Sequence, residues 1–588
     1  MQDEEVLGKA YDSKLMKRLI EFIKPHKKYI YIALPLLCLT SVGENIGPFL
    51  TKEAIDNYIA NGDLGGLAWI AGLFLIAVSV TFVSRFGQTY FTNLMGQKIM
   101  YDLRVKLFKH VQNLSLKYFD KNPVGRVMTR LTSDVEALNE LFSSGLVTVF
   151  GDVFSIAIIT GMLFYLDWKL ALITFTVFPI LFYVTFLFKK RVRFAFREVK
   201  LRTAVINSQL QENISGMNVV QLFNREERNY ENFVKENNEL LDSHVKTIFN
   251  FAIFFPGVEF INSIAISMII WFGGVRNLES TLTFGTLVAF IQYTQVIFRP
   301  IRDLSEKYNI LQGAMASSER IFTVFDTEPK IINSPNPIIK ENFQGEIEFK
   351  NVWFAYEGED WVLKDVSFKV EAGESLALVG ATGSGKSTII SLLCRFYDIQ
   401  KGEIFVDGVS LKDLDVLELR KNISLVLQDV FLFSESVLNN IRLGNSEISE
   451  AQIVEVAKKA NAHDFISKLS DGYKTQLRER GSLLSTGQKQ LISFARALAF
   501  DPKILVLDEA TSNIDTETES LIQDAVHELM QNRTSIIVAH RLSTIQEADK
   551  ILVLHKGKVR EIGNHQELLA NKNIYYKLYR LQYNLKVE

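Results

Sequence analysis

Apolar positions along this chain fall into two regimes. Up to about residue 325 they run in long blocks; beyond about residue 345 they come in short runs or alternate with polar residues. A bilayer-crossing helix needs ~20 mostly apolar residues. Six stretches meet that length, at 29–50, 65–92, 141–165, 168–189, 249–275 and 284–301. Only a turn at Asp167 and Trp168 divides the third from the fourth, and Glu44 and Asn45 interrupt the first. Residues 11–26 (YDSKLMKRLIEFIKPH) are basic and amphipathic, which predicts a short helix along the membrane surface ahead of the first span. No cleavable leader is expected, because the first apolar run follows the charged stretch Lys14 to Lys28 and no small-residue cleavage site comes after it. Residues 97–140 and 190–248 keep helical spacing, so the spans are predicted to continue well past the bilayer. Turns are predicted at the tips, Phe119–Gly125 (FDKNPVG) and Gly216–Arg225 (GMNVVQLFNR).

Basic residues orient the spans. Lys98, Arg104, Lys106, Lys109, Lys117, Lys121, Arg126 and Arg130 follow the second span, and Lys189, Lys190, Arg191 and Arg193 follow the fourth. The connection between the first two spans holds only Lys52 beside Glu53, Asp56 and Asp63. The positive side faces the cytoplasm, which puts both termini and both long connections there. A polar linker with Pro329, Pro335 and Pro337 occupies 326–345. Beyond it, strands are expected at Ile347–Phe354, Ser375–Val379, Ile404–Val406, Ile423–Leu427, Ile504–Leu507, Ser535–Val538 and Ile551–Leu554, interleaved with helices. The expected plan is a six-span helical membrane domain at 1–325 and an α/β domain at 346–588.

Composition narrows the class. The chain has 588 residues, 48% hydrophobic and 22% charged, and its mean hydropathy of +0.10 is what a half-membrane, half-soluble chain averages to. That excludes intrinsic disorder. Two cysteines exclude a disulfide framework and a cysteine-based zinc site. A net charge of -2 gives no basic field, so no nucleic-acid partner is expected.

The α/β half carries nucleotide chemistry. Gly380–Ser387 reads GATGSGKS, the G-x-x-x-x-G-K-[ST] pattern, behind the apolar strand LALV and ahead of a helix-like run. In such a loop, Gly380, Gly383 and Gly385 let the backbone N–H groups around Thr382 and Ser384 turn inward onto phosphates, and the helix N-terminus adds its dipole. Lys386 is placed for the β- and γ-phosphates, the Ser387 hydroxyl for Mg²⁺, and Thr388 for the α-phosphate. Ile504–Glu509 (ILVLDE) is an apolar strand ending in two acids. Asp508 would hold Mg²⁺ through water, and Glu509 would polarise the attacking water.

The remaining motifs carry a family resemblance. Tyr356 lies about 25 residues before the loop, Gln428 ends ISLVLQ, and Arg478–Gly481 (RERG) precedes Leu484–Gln488 (LSTGQ). Ser512–Asp515 (SNID) and His540 in IVAHRLST complete the order. Together with the six-span half, they make the chain resemble a multidrug-type ABC exporter half-transporter over nearly its whole length, nearest in character to the MdlB-like bacterial branch. The resemblance implies that Tyr356 stacks on adenine, that Gln428 senses the γ-phosphate side and Mg²⁺, and that His540 contacts the γ-phosphate. It also implies that Ser485, Gly487 and Gln488 act in trans on ATP bound to a partner subunit. The predicted turns at Phe119–Gly125 and Gly216–Arg225 would be coupling helices.

One position departs from the family. The usual signature is LSGGQ, and Thr486 replaces its first glycine. With Glu509 and His540 intact, this resembles the Glu-bearing half of heterodimeric exporters, which favours a second, different half-transporter as partner over a homodimer. Charges within the spans are candidate substrate contacts, namely Glu44, Arg85, Asp152 and Glu259. Glu44 and Glu259 sit among phenylalanines. The implied activity is ATP-driven export of hydrophobic or amphipathic compounds, drugs or lipids, across a bacterial cytoplasmic membrane. A lipid flippase of the same fold and an ATP-gated channel subunit are the alternatives.

Overall fold

The computed structural model describes residues 12–508, 516–538 and 542–582. The chain divides into two compact units. One comprises residues up to Gln112 together with Val124–Thr327; the other comprises Asn113–Pro123 together with the chain from Glu328 onward.

The first unit is all helix. It begins with α1 (Ser13–Ile23), capped by Asp12, whose carboxylate accepts from the backbone N–H of Lys14 at 2.7 Å. A 3₁₀ turn at Lys24–His26, with Pro25 inside it, joins α1 to α2 (Lys27–Glu53). The apolar face of α1 buries Met16 and Leu19. Arg18 forms a fork with Asp326, both contacts at 2.8 Å, and its guanidinium lies 4.1 Å from the centroid of the Phe322 ring. The predicted surface helix is therefore pinned to the last helix of the unit.

Among the described residues, five helical segments are long and apolar enough to cross a membrane: Ser13–Ile59, Leu64–Gln112, Val124–Leu166, Trp168–Ser215 and Glu226–Leu278. The second is a single helix, α3 (Leu64–Gln112, 49 residues). At 1.5 Å per residue it rises roughly 70 Å, more than twice a ~30 Å hydrocarbon core. The sixth expected stretch, 284–301, opens the Phe284–Phe325 helix, which is not among the five. Gln292, Gln295 and Arg299 interrupt its apolar run, and Phe290, Tyr293 and Thr294 are wholly buried. It reads as an interior helix rather than a lipid-facing one. Tyr293 donates its hydroxyl to the Asn45 carbonyl at 2.9 Å. The turn between the third and fourth apolar stretches is held by Asp167, which accepts from the Leu170 N–H and from Arg276, each at 2.7 Å.

The second unit is α/β. An antiparallel sheet of order β2-β1-β4-β5 contains β1 (Ile347–Phe354), β2 (Leu363–Val370), β4 (Lys401–Val406) and β5 (Val409–Ser410). A six-stranded sheet has the order β10-β9-β3-β8-β7-β6. It contains β3 (Ser375–Val379), β6 (Ile423–Val426), β7 (Ile504–Asp508), β8 (Thr534–Val538), β9 (Lys550–His555) and β10 (Lys558–Gly563). All its pairings are parallel except that of β10 with β9. Alternation along β3 feeds two cores. Ala377 and Val379 face one that includes Leu491 and Phe494, while Leu376 and Leu378 face another that includes Phe349 and Ile389. Segment 113–123, with its helix α4 (Leu116–Lys121), belongs to this unit.

Candidate functional site

Parallel strands bring the candidate residues to one edge. The glycine-rich loop leaves the C-terminal end of β3, Asp508 ends β7, and Gln428 follows β6 two residues beyond its end. Register aligns Leu378 and Asp508 on either side of Val538, the last residue of β8. Ligands of open α/β sheets bind off such carboxyl ends. Glu509, His540 and Ser512–Asp515 lie outside the described residues.

The loop is built to cradle an anion. Gly383 has φ +78° and Gly385 has φ +108°, a conformation that favours glycine. A Cβ on Gly385 would come within 2.6 Å of Leu363 Cδ2, so β2 backs the loop there; one on Gly383 would meet nothing within 4 Å. The β9–β10 turn supports the loop too, with the Gly557 N–H donating to the Ser384 carbonyl at 3.2 Å. Lys386 opens the Lys386–Leu393 helix and is largely buried. Its Nζ donates to the Gly380 and Ala381 carbonyls at 2.7 and 3.2 Å. Burial pushes its pKa below the ordinary lysine value, against the nearby Asp508 charge that favours the ammonium. The Ser384 hydroxyl is buried without a hydrogen-bond partner among the described residues. A cation folded onto loop carbonyls, an unmet buried hydroxyl and open space at Gly383 fit a polyphosphate. Thr382 and Ser387 are exposed at this edge, while Thr388 is buried and lies 3.2 Å from the half-buried Tyr356 hydroxyl.

Ser485, Gly487 and Gln488 form the capped N-terminus of a second helix, Thr486–Ala499. Ser485 Oγ accepts from the Gln488 N–H at 3.2 Å, and Gln488 Oε1 accepts from the Ser485 N–H at 3.0 Å. Thr486 is exposed at the first helical position, where its backbone does not need the left-handed region that glycine serves. The departure from glycine is therefore free of backbone strain and bears only on what approaches the helix end.

Family profiles agree with this division. The profile "ABC transporter transmembrane region" matches residues 30–301, and "ABC transporter" matches 363–512. The Bacillus subtilis protein YknV, described as an uncharacterized ABC transporter ATP-binding protein, is 40% identical over 100% of this chain and 97% of its own length. The chain belongs to the ABC transporter family. The transporter is also 36% identical to an ATP-dependent lipid A-core flippase of Syntrophus aciditrophicus, covering 97% of this chain and 94% of the relative. It is 37% identical to YgaD of Bacillus subtilis, described as a putative multidrug export ATP-binding/permease protein, covering 97% and 99%. It is an ABC exporter, binding ATP and hydrolysing it to drive transport.

The sequence did not reveal a link behind the transporter's signature helix. Arg496, on that helix, donates to the Asn440 carbonyl at 2.9 Å and to the Phe431 carbonyl at 3.3 Å. Asn440 in turn holds Phe433 through bonds to both its N–H and carbonyl. The chain that follows Gln428 is thus tied to the helix that carries Ser485. Most of these bonds engage the backbone of residues 431–440, so no residue pattern announces them.

The membrane-half candidates separate. Glu44 pairs with Arg85 at 2.9 Å, and Asp152 pairs with Lys307. Glu259 is exposed on the Glu226–Met268 helix and forms no ion pair among the described residues.

Proposed function

We propose that the transporter is a six-span half-transporter, with a membrane domain at 1–325 and an ATPase domain at 346–588 joined by a linker at 326–345. It exports hydrophobic or amphipathic compounds across a bacterial cytoplasmic membrane. The observation that carries the reading is the convergence of the Lys386 loop, Asp508 and Gln428 at the carboxyl edge of one parallel sheet. In this reading the backbone from Gly380 to Ser387 and Lys386 hold the phosphates, Tyr356 stacks on adenine, and Ser387, Gln428 and Asp508 hold Mg²⁺. Bound Mg²⁺ would neutralise charge on the phosphate oxygens. Glu509 orients the attacking water and His540 contacts the γ-phosphate. Ser485, Gly487 and Gln488 complete the site of a partner subunit. The intact Glu509 beside the variant Thr486 favours a heterodimer over a homodimer, and the MdlB-like branch is the one that pattern suits.

Names of relatives favour two cargo classes, drugs for YgaD and lipid A-core for the flippases. Glu259, which has no ion pair among the described residues and lies near exposed Phe255 and Phe260 in sequence, favours cationic amphiphiles. The test is Glu509→Gln. ATP binding should persist while hydrolysis falls sharply, trapping the two nucleotide domains closed on each other. Near-normal turnover of the variant refutes the assignment.

A further inference from the structure

Helix α4 is bound to the immediate surroundings of Tyr356. Lys117 Nζ donates to the Tyr356 carbonyl at 2.8 Å, and Lys121 pairs with the neighbouring Glu357 at 2.6 Å. The Lys121 contact holds the Glu357 carboxyl below the usual carboxylate range. Between these two lysines, Asp120 accepts the hydroxyl of Tyr397. The Tyr397 ring stands edge-on to the Tyr356 ring, centroids 5.2 Å apart and planes at 89°. Phe354 packs edge-on as well, at 4.9 Å and 84°. Burial first, and the Asp120 carboxylate second, push the Tyr397 phenol above its ordinary range, so it is a donor at every physiological pH.

Tyr356 is therefore held at three places. Lys117 fixes its backbone, Thr388 its hydroxyl, and Tyr397 packs perpendicular to its ring. Tyr397 is itself oriented by Asp120, on a helix that lies more than two hundred residues away in the chain. A stacking side chain that is already immobilised loses less rotamer freedom when a base arrives, so its support appears as affinity.

We infer that Lys117, Asp120 and Tyr397 are positioning residues for the stacking face of Tyr356, so that α4 sets the affinity of the ATPase for the adenine base. The inference rests on the assignment of Tyr356 to adenine. Edge-on aromatic support of this kind predicts a roughly three- to tenfold rise in the KM for ATP when the orienting bond is lost.

The experiment compares Tyr397→Phe, Asp120→Asn and Lys117→Met with the wild type, in the full chain with its partner. Each substitution should raise the KM for ATP with little change in kcat. Inhibition by inorganic tripolyphosphate, which engages the glycine-rich loop without a base, should be unmoved. In a Tyr356→Ala background the same substitutions should add almost nothing, because contacting residues couple. A matching loss of tripolyphosphate inhibition, a fall in kcat at constant KM, or full additivity with Tyr356→Ala overturns the inference. If Tyr356→Ala itself leaves the KM for ATP unchanged, the adenine assignment fails and takes the inference with it; additivity on top of a clear Tyr356→Ala effect removes the inference alone. Tyr397→Phe keeps the ring in its packing, so it separates lost orientation from a lost fold.

Discussion

Two glycines of the phosphate loop should respond oppositely to the same one-carbon change. In Gly383→Ala the new methyl meets nothing within 4 Å, and the only folding cost is the left-handed backbone at φ +78°, about 1–2 kcal/mol. In Gly380→Ala the methyl would lie 2.3 Å from the Leu554 carbonyl oxygen. That oxygen belongs to β9, whose residues pair with β3 on one side and β10 on the other, so it cannot step aside cheaply. Overpacking of this kind costs ~1–3 kcal/mol, occasionally more. Stability alone scarcely separates the two; ligand response does. At ATP concentrations 100-fold above Kd, binding stabilises the native state by about 2.7 kcal/mol, or several degrees in a domain of this size at about 2–4 °C per kcal/mol. Thermal melting of the full chain, with and without MgATP, is the assay. Without nucleotide both variants should melt a few degrees below wild type. Gly383→Ala should also lose the ATP-dependent rise, because the methyl fills the space left for phosphate, whereas Gly380→Ala should keep it. A Gly383→Ala protein that keeps the full ATP-dependent rise refutes the assignment of this open space to phosphate.

Thr486→Gly should change ATPase activity little in a heterodimer, where the signature faces a weaker partner site. In a homodimer it should raise turnover clearly, by opening backbone approach at an exposed helix end, so assaying the chain alone and with candidate partners discriminates the two. Glu259→Gln should weaken ATPase stimulation by a lipophilic amine while leaving an uncharged analogue unaffected; equal loss for both would remove Glu259 from cargo recognition. Arg18 holds the Asp326 carboxyl below its ordinary pKa. The anchoring of α1 is therefore complete above the ordinary carboxylate range and lost as pH falls through the lowered value. Asp326→Asn should loosen α1 at neutral pH by at most ~1 kcal/mol, since the pair is exposed. Hydrogen exchange over residues 13–23 reports it, and an unchanged exchange rate would show that Phe22 and Phe322 suffice.

The long apolar runs and the period-two segments were legible because each is a local pattern with one dominant cause. Where a second cause intruded, the pattern broke. Strand β2 went unrecognised because Asp365, at φ +57°, inserts an extra residue, so the buried positions Leu363 and Val366 are three apart rather than two. Strand β10 is an edge strand whose polar face is open to solvent, and its alternation runs between half-exposed and exposed positions. The sixth apolar stretch is diluted by glutamines that an interior helix tolerates better than a lipid-facing one. At the site, the motif residues follow from spacing, because the P-loop chemistry is contained in eight consecutive positions. The supports around Tyr356 are not, since Lys117 meets it from a separation of 239 residues. Arg496 escaped for a related reason: a half-buried arginine that bonds mainly to backbone carbonyls leaves no sequence pattern.

Because Asn113–Pro123 is folded into the nucleotide unit, the ATPase domain proposed at 346–588 is completed by a segment from outside those bounds. A gene fragment starting at the linker would encode an enzyme lacking one of its own walls, with Glu357 stripped of its cation and Tyr397 of its acceptor. Shuffling this ATPase onto a foreign membrane domain would succeed only if the foreign chain brought an equivalent of α4. A change at Tyr397 is thus constrained by Asp120, 277 residues earlier in the chain.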